Sequence, residues 1–316
     1  MILGHERQIR YFDRVMAAGR LGHAYLLHGP ERVGKRTIAF AIARALLCPN
    51  SGVTGQSIAD AGDGCGACRA ADAGTHPGLT LLDRGHTLLS DKEVRSEIPI
   101  ADIREMKRRF SFAPAGNAWR IAIIDEVDIM SRDAEVAFLK LLEGPGARAF
   151  FLLIASSRDA VPPTIVSRAA SVLFAPVPDA VLAPYIRTHL PKENINDMLA
   201  MARGRTGMLV EWARDLKRLL EEKKDTALFS GSFAGGTAGM LALSERVSGD
   251  ESGRRRARDW WIAHLRRGIG AASGAERREA ARRLARALDL AAVMDETNVN
   301  PRLALDVMFA EGIAPV

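Results

Sequence analysis

Three stretches of the chain carry residue types at spacings suited to chemistry. The first is GPERVGKR, Gly29 to Arg36, with Thr37 directly after it. Gly29, Pro30 and Gly34 suit a tight turn whose backbone N–H groups approach an anion, and Lys35 would reach the β- and γ-phosphates of a nucleotide. A hydrolytic phosphate loop places Ser or Thr after the lysine, and that hydroxyl holds Mg²⁺. Here the residue is Arg36. Successive helical residues point about 100° apart, so Thr37 does not simply replace it, and a guanidinium repels a metal cation. ATP binding with weak or absent hydrolysis is the expectation. The second stretch, IAIIDEVD, ends an apolar run in carboxylates. Taken alone these acids fit a solvated loop equally well. Behind a phosphate loop, Asp125 would face the metal shell and Glu126 would polarise the attacking water. The third, ASSRDAVPPTIVSRA, offers Ser156 or Ser157 as a γ-phosphate sensor at the end of an apolar run. Farther on comes Ser167-Arg168, a pair that by itself reads as an ordinary surface ion-pair partner.

Positioning these residues calls for a parallel sheet. Short apolar runs at 24–28, 79–82, 119–124, 150–154 and 172–174 are bounded by Gly, Pro and Asp and predict buried strands. Helical spacing lies between them, as in TIAFAIARALL from Thr37, so the first part is α/β with helices on both faces. Pro176 and Pro178 close that region. Beyond them the pattern is helical: 180–190, 195–201, 210–224 as one amphipathic helix, 254–267 and 275–294. Gly204–Gly207 predicts a turn, and SGSFAGGTA (230–238) a loop of small residues. The expected division is 1–176 for the nucleotide-binding fold, 177–222 for a small helical lid and 223–316 for a C-terminal helical domain.

The bulk properties are those of a globular chain: 316 residues, 47% hydrophobic and 26% charged. The longest apolar runs fall far short of the ~20 residues a membrane helix needs. The opening MILGHERQIR carries charge at once, which predicts no secretory signal. Three cysteines cannot all pair, so a reducing, cytoplasmic setting is expected. A net charge of +6 is compatible with polyanion contact and equally with simple solubility.

Taken in order, these blocks resemble the AAA+ clamp-loader subunits of bacterial DNA polymerase III, the delta-prime type most of all. The blocks are GRLGHAYLLHGPERVGKRTIAFAIARALLC, AGTHPGL, WRIAIIDEVDIMSRDAEVAFLKLLEGPGARAFFLLIASS, PPTIVSRA and NVNPRLALDVMF. The resemblance spans nearly the whole chain. It implies an AAA+ domain, a helical lid and a helical collar. It also implies neighbours of the delta and gamma/tau kinds, a sliding clamp, and primed DNA reached through the assembly. Arg168 would be an arginine finger inserted into an adjacent subunit's ATP site, and Ser156 would stand at sensor 1. Ala169 replaces the usual cysteine after the arginine. Met208 in GRTGM takes the place expected for the sensor-2 arginine. With Arg36, it favours a member that lends its finger over the alternative, an active gamma/tau-like motor.

The same resemblance implies a four-cysteine zinc module inserted at about 48–76. Cys48, Cys65 and Cys68 match three of its positions, and Gly62 stands at the fourth. Asp60, Asp63 and His76 are the candidates to complete the set, since structural zinc is almost always four-coordinate. With no fourth ligand, the cysteines would be free thiols of a decayed module. Arg104, Lys107 and Arg108 form a basic helix face, opposite Ile103, Met106 and Phe110, that suits either DNA phosphates or solvent.

Overall fold

The computed structural model describes residues 2–50, 57–60, 62–83, 88, 97–111, 118–146, 148–271, 273–296 and 299–312. It divides into two compact units, Met1–Ala213 and Arg214–Val316.

The first unit runs α1 (Glu6–Ala17), β1 (Ala24–His28), α2 (Lys35–Leu47), α3 (Gly66–Asp72), β2 (Leu79–Leu82), α4 (Ile100–Ser111), β3 (Arg120–Ile124) and a 3-10 turn at Val127–Ile129. It continues with α5 (Arg132–Glu143), β4 (Ala149–Ala155), α6 (Pro163–Val166), β5 (Ala170–Leu173), α7 (Asp179–His189), α8 (Ile195–Ala202) and α9 (Thr206–Arg214). The five strands pair in parallel in the order β2-β3-β4-β1-β5. Every residue of β4 is buried. That is why AFFLLIA is apolar throughout: a parallel strand in the middle of a covered sheet has no wet face. Alternation divides its side chains. Phe151 and Leu153 join Met106 of α4 and Phe138 of α5 in one cluster. Phe150, Leu152 and Ile154 join Ile38 and Ile42 of α2 and Phe12 of α1 in the other.

The sheet gathers the chemistry at one edge. Parallel pairing aligns Leu82 with Ile124 and His28 with Ala155. The residues after these strand ends therefore meet at the carboxyl edge, where open α/β sheets place their ligand sites.

The second unit is helical: α10 (Leu216–Ala234), α11 (Gly236–Val247), α12 (Glu251–Ala271), α13 (Gly274–Glu296) and α14 (Pro301–Gly312). Trp260, Trp261, Phe229 and Phe309 are buried in its core, and the Trp261 indole N–H donates to the Met308 carbonyl at 3.1 Å. Two expectations change here. The helix expected over 210–224 is broken at Asp215, whose carboxylate caps the start of α10 through the Lys217 N–H. α10 then runs to Ala234, through more than half of the expected loop at 230–238. Small residues there serve close packing. A Cβ on Gly239 would lie 2.2 Å from the Ser232 carbonyl oxygen, so α10 and α11 touch backbone to backbone. Phe233 meanwhile packs against Trp260, Trp261 and His264.

Candidate nucleotide and metal sites

The phosphate loop links β1 to α2, as its spacing requires. Gly29 has φ 145°, and a Cβ there would strike the Phe174 carbonyl oxygen at 2.1 Å. Gly34, at φ 115°, is the cap from which α2 starts. Only glycine fits both positions without strain. Arg32 is left-handed too, at φ 59°, and its guanidinium meets Glu211 of α9 at 2.8 Å.

Two other elements hold the loop from behind. The Val33 carbonyl accepts from His5 Nε2 at 2.7 Å and from the Thr206 hydroxyl at 3.0 Å. The Arg32 carbonyl accepts from the Gly207 N–H at 2.7 Å. The part of α9 that meets the loop is thus Thr206 and Gly207. Met208 is buried in the core, only 4% exposed, and is not the residue that faces the loop.

Lys35 is buried, and its ammonium donates to the Gly29 carbonyl and, at 2.7 Å, to the Pro30 carbonyl. Burial lowers its pKa, partly opposed by the carboxylates of Asp125, Glu31 and Asp128. Thr37 faces out into solvent. Arg36 turns across the sheet edge. Its Nη1 donates to Asp83 Oδ2 at 2.7 Å and to Asp125 Oδ2 at 3.2 Å, and the guanidinium lies 5.6 Å from the centre of the Phe40 ring. Burial raises the Asp125 pKa, opposed by the adjacent Arg36 charge and its hydrogen bond. Glu126 follows in a left-handed conformation at φ 55°. Ser156 is bound to Asp128, through its hydroxyl at 2.7 Å and its N–H at 3.2 Å.

The structure therefore brings together Gly29, Pro30, Gly34, Lys35, Arg36 and Asp125, and it adds Asp83, which the sequence analysis did not single out. The signal was present: LTLL runs into Asp83 as IAII runs into Asp125. The Mg²⁺ of a hydrolytic phosphate loop does not fit this set. The residue after the lysine offers N–H donors in place of an oxygen ligand, and those donors already lie on both carboxylates.

Arg168 lies just beyond α6, away from this cluster. Its guanidinium is partly exposed, meeting the Glu143 carboxylate at 2.7 Å, the Thr164 carbonyl at 3.0 Å and the Ser167 hydroxyl at 3.3 Å. On α4, Ile103, Met106 and Phe110 are buried while Arg104 and Lys107 are exposed; Arg108 and Arg109 both pair with Glu105.

The cysteines form a second centre. Cys48 ends α2, Cys65 caps α3 and Cys68 sits within it. Their thiols and one carboxylate oxygen of Asp63 lie within 4.8 Å of one another. Asp63 is thus the residue drawn in from the three candidates. Asp60 is exposed outside the group, and His76 Nδ1 accepts from the Gly78 N–H at 3.0 Å. Hydrogen bonds from the Asn50 amide and from Cys65 hold the Asp63 carboxyl well below the usual range. Burial pushes the Cys68 thiol up. Three soft sulfurs and one oxygen make a donor set that suits zinc.

Among the described residues no helix is long and apolar enough to cross a membrane. A family model described as DNA polymerase III, delta subunit, matches residues 4–178, more than half of the chain. The DNA polymerase III subunit tau of Salmonella typhimurium is 32% identical over 167 residues, which are 53% of this chain and 24% of that protein. The subunit gamma of Buchnera aphidicola is 27% identical over 195 residues, 62% of this chain and 50% of that protein. The chain thus spans about a quarter to a half of the length of these relatives. A solved gamma subunit-related protein from Thermotoga maritima aligns over 96% of this chain and 98% of its own, at 17% identity and a TM-score of 0.44.

Proposed function

This chain belongs to the DNA polymerase III delta-subunit family, and we propose that within it the chain is a delta-prime-type clamp-loader subunit that lends an arginine to a neighbour's ATP site. It would assemble with delta and gamma/tau subunits in the cytoplasm and help place a sliding clamp on primed DNA. The observation that carries this reading is the contrast between its two arginines. Arg36 is held by two largely buried carboxylates, Asp83 and Asp125, whereas the carboxylate paired with Arg168, that of Glu143, is itself exposed. Exposed ion pairs are weak, so Glu143 would release the guanidinium at little cost when a triphosphate approaches. In the partner's site the planar, permanently charged group would stabilise the charge that builds on the transferring phosphoryl group. Lys35 and the loop of this chain would still accept a nucleotide's phosphates, without turning it over.

Cys48, Asp63, Cys65 and Cys68 would hold a structural Zn²⁺ that ties the end of α2 to the start of α3. The ion's part is to cross-link; it takes no role in hydrolysis.

The test is reconstitution of the loader with Arg168→Ala. Assembly should survive, while turnover at the one site that receives the arginine falls by roughly 10³-fold or more, and clamp loading falls with it. Normal loading by that variant removes the finger role. The alternative is a gamma/tau-like motor, which membership of the family leaves open and Arg36 opposes. Robust steady-state ATPase by the isolated chain with clamp and primed DNA would select it. A nucleic-acid-binding protein with a relic loop would instead bind DNA tightly alone, with a steep salt dependence.

A further inference from the structure

We infer that Arg36 is a built-in replacement for the divalent cation: its guanidinium occupies the metal seat between Asp83 and Asp125, so this phosphate loop is a site that excludes metal. The inference rests on Gly29–Thr37 being a phosphate loop, and is independent of what Arg168 does.

Three observations converge on it. The first is position. Arg36 follows the loop lysine, where the metal-binding hydroxyl belongs, so its side chain departs from the backbone point that a hydrolytic site uses for Mg²⁺. The second is placement of the acids. Leu82 and Ile124 are paired in register, and the Asp125 N–H donates to the Leu82 carbonyl at 2.9 Å. The following carboxylates therefore come side by side, only 10% and 19% exposed. Two such carboxylates demand a cation between them. The third is fixation. One nitrogen, Nη1, bonds to both acids, and the face of Phe40, one helical turn along α2, lies beside the guanidinium. The side chain is 41% exposed, but its guanidinium is held on two acids and a ring, and an incoming ion would have to break those contacts. A metal entering here would have to remove both acids from the guanidinium and then sit beside that positive charge.

The chemical consequence differs from that of a merely damaged site. A phosphate loop that has lost only its hydroxyl keeps two acids and still draws metal. This one carries a fixed single positive charge where a hydrolytic loop carries a removable double one. Removing divalent ions should leave its condition unchanged, and no metal is held to activate water.

The experiment uses the full chain and Mn²⁺ as the probe, with free Mn²⁺ read by electron paramagnetic resonance in the presence and absence of a non-hydrolysable ATP analogue. The wild-type chain should show no Mn²⁺ uptake that D125N removes. R36T, which restores a hydroxyl and takes the guanidinium off both acids, should take up one further Mn²⁺ per chain, and the double variant R36T/D125N should lose it. A wild-type ion that disappears in D125N, or a folded R36T that gains none, overturns the inference. A second measurement does not depend on R36T folding. Excess Mg²⁺ without nucleotide should leave the wild-type melting temperature where it stands in Mg²⁺-free buffer, and a rise with Mg²⁺ that D125N abolishes refutes the role given to Arg36.

Discussion

Removing zinc, or its oxygen ligand, should loosen the first unit by an amount that the geometry sets. The Sγ atoms of Cys48 and Cys65 are 3.9 Å apart, and those of Cys65 and Cys68 are 3.7 Å apart. Asp63 Oδ1 lies 3.6 Å from the Cys48 sulfur and 3.7 Å from the Cys68 sulfur. A tetrahedral ion with Zn–S near 2.3 Å and Zn–O near 2.1 Å requires ligand separations of about 3.8 Å (S to S) and about 3.6 Å (S to O). These four separations match the ion and the other two lie within 4.8 Å, so only a small closure of the group is subtracted from its binding. Asn50 Nδ2 and the Cys65 N–H hold the carboxylate at 2.6 and 3.0 Å, so the oxygen ligand is oriented as well. With free zinc at about 100 times its dissociation constant, binding adds about 2.7 kcal/mol to stability. For a unit of this size, Met1–Ala213, that corresponds to roughly 5–11 °C in melting temperature. The assay is elemental analysis of chain purified without chelator, with melting curves before and after chelation. D63A should lose the metal and the shift together, and D63C should retain both. A chain that carries no zinc and melts at the same temperature with or without added zinc refutes the reasoning.

Three further outcomes are expected. His5 is buried, and that burial lowers its pKa despite the Val33 carbonyl and Glu6, which act to raise it. The unfolded chain then binds the proton more readily, so stability falls as pH drops below about 6.5 and stops falling below the folded pKa. Urea midpoints at pH 7.5 and 5.5 should show a smaller loss for H5Q than for wild type, and equal losses contradict the assignment. G239V forces a side chain into the Ser232 carbonyl and should cost the second unit at least 1–3 kcal/mol by urea denaturation; an unchanged midpoint would mean the helices do not touch there. K35A should leave clamp loading by the reconstituted assembly nearly unaltered, and a collapse like that of a motor-site variant would contradict the proposed division of labour.

Much of the α/β unit was legible because parallel strands buried on both faces write themselves as apolar runs, and AFFLLIA is the clearest case. The loop glycines were legible because only glycine takes their conformations. What was missed depends on contacts between distant segments. SGSFAGGTA has the composition of a loop, but its Ser232 and the following Gly239 are small because α10 and α11 touch there, and composition alone cannot tell flexibility from close approach. That Thr206 and Gly207 are the residues of α9 that bond to the phosphate loop was not legible either, since successive helical residues point about 100° apart and the choice depends on how α9 docks. Asp63 could not be separated from Asp60 and His76 by spacing, since the choice depends on how the turn before α3 folds back onto Cys48.

Arg36 joins what could be read to what could not. Its identity alone says that a hydroxyl is missing, which describes a defect. Only the sheet register shows where the replacement goes, because it sets the end of β2 beside the end of β3 and gives the guanidinium two acids to bridge. Had the hydroxyl been replaced by a small apolar residue, Asp83 and Asp125 would have kept their need for a cation, and metal would still have been drawn to the edge of the sheet. An arginine meets that need from within the chain. The departure that removes the metal ligand also supplies the charge that the ligand's partners require, so the carboxyl edge can stay ordered with no ion bound. That is the condition to be expected of a subunit whose contribution to hydrolysis is made at a neighbour's site.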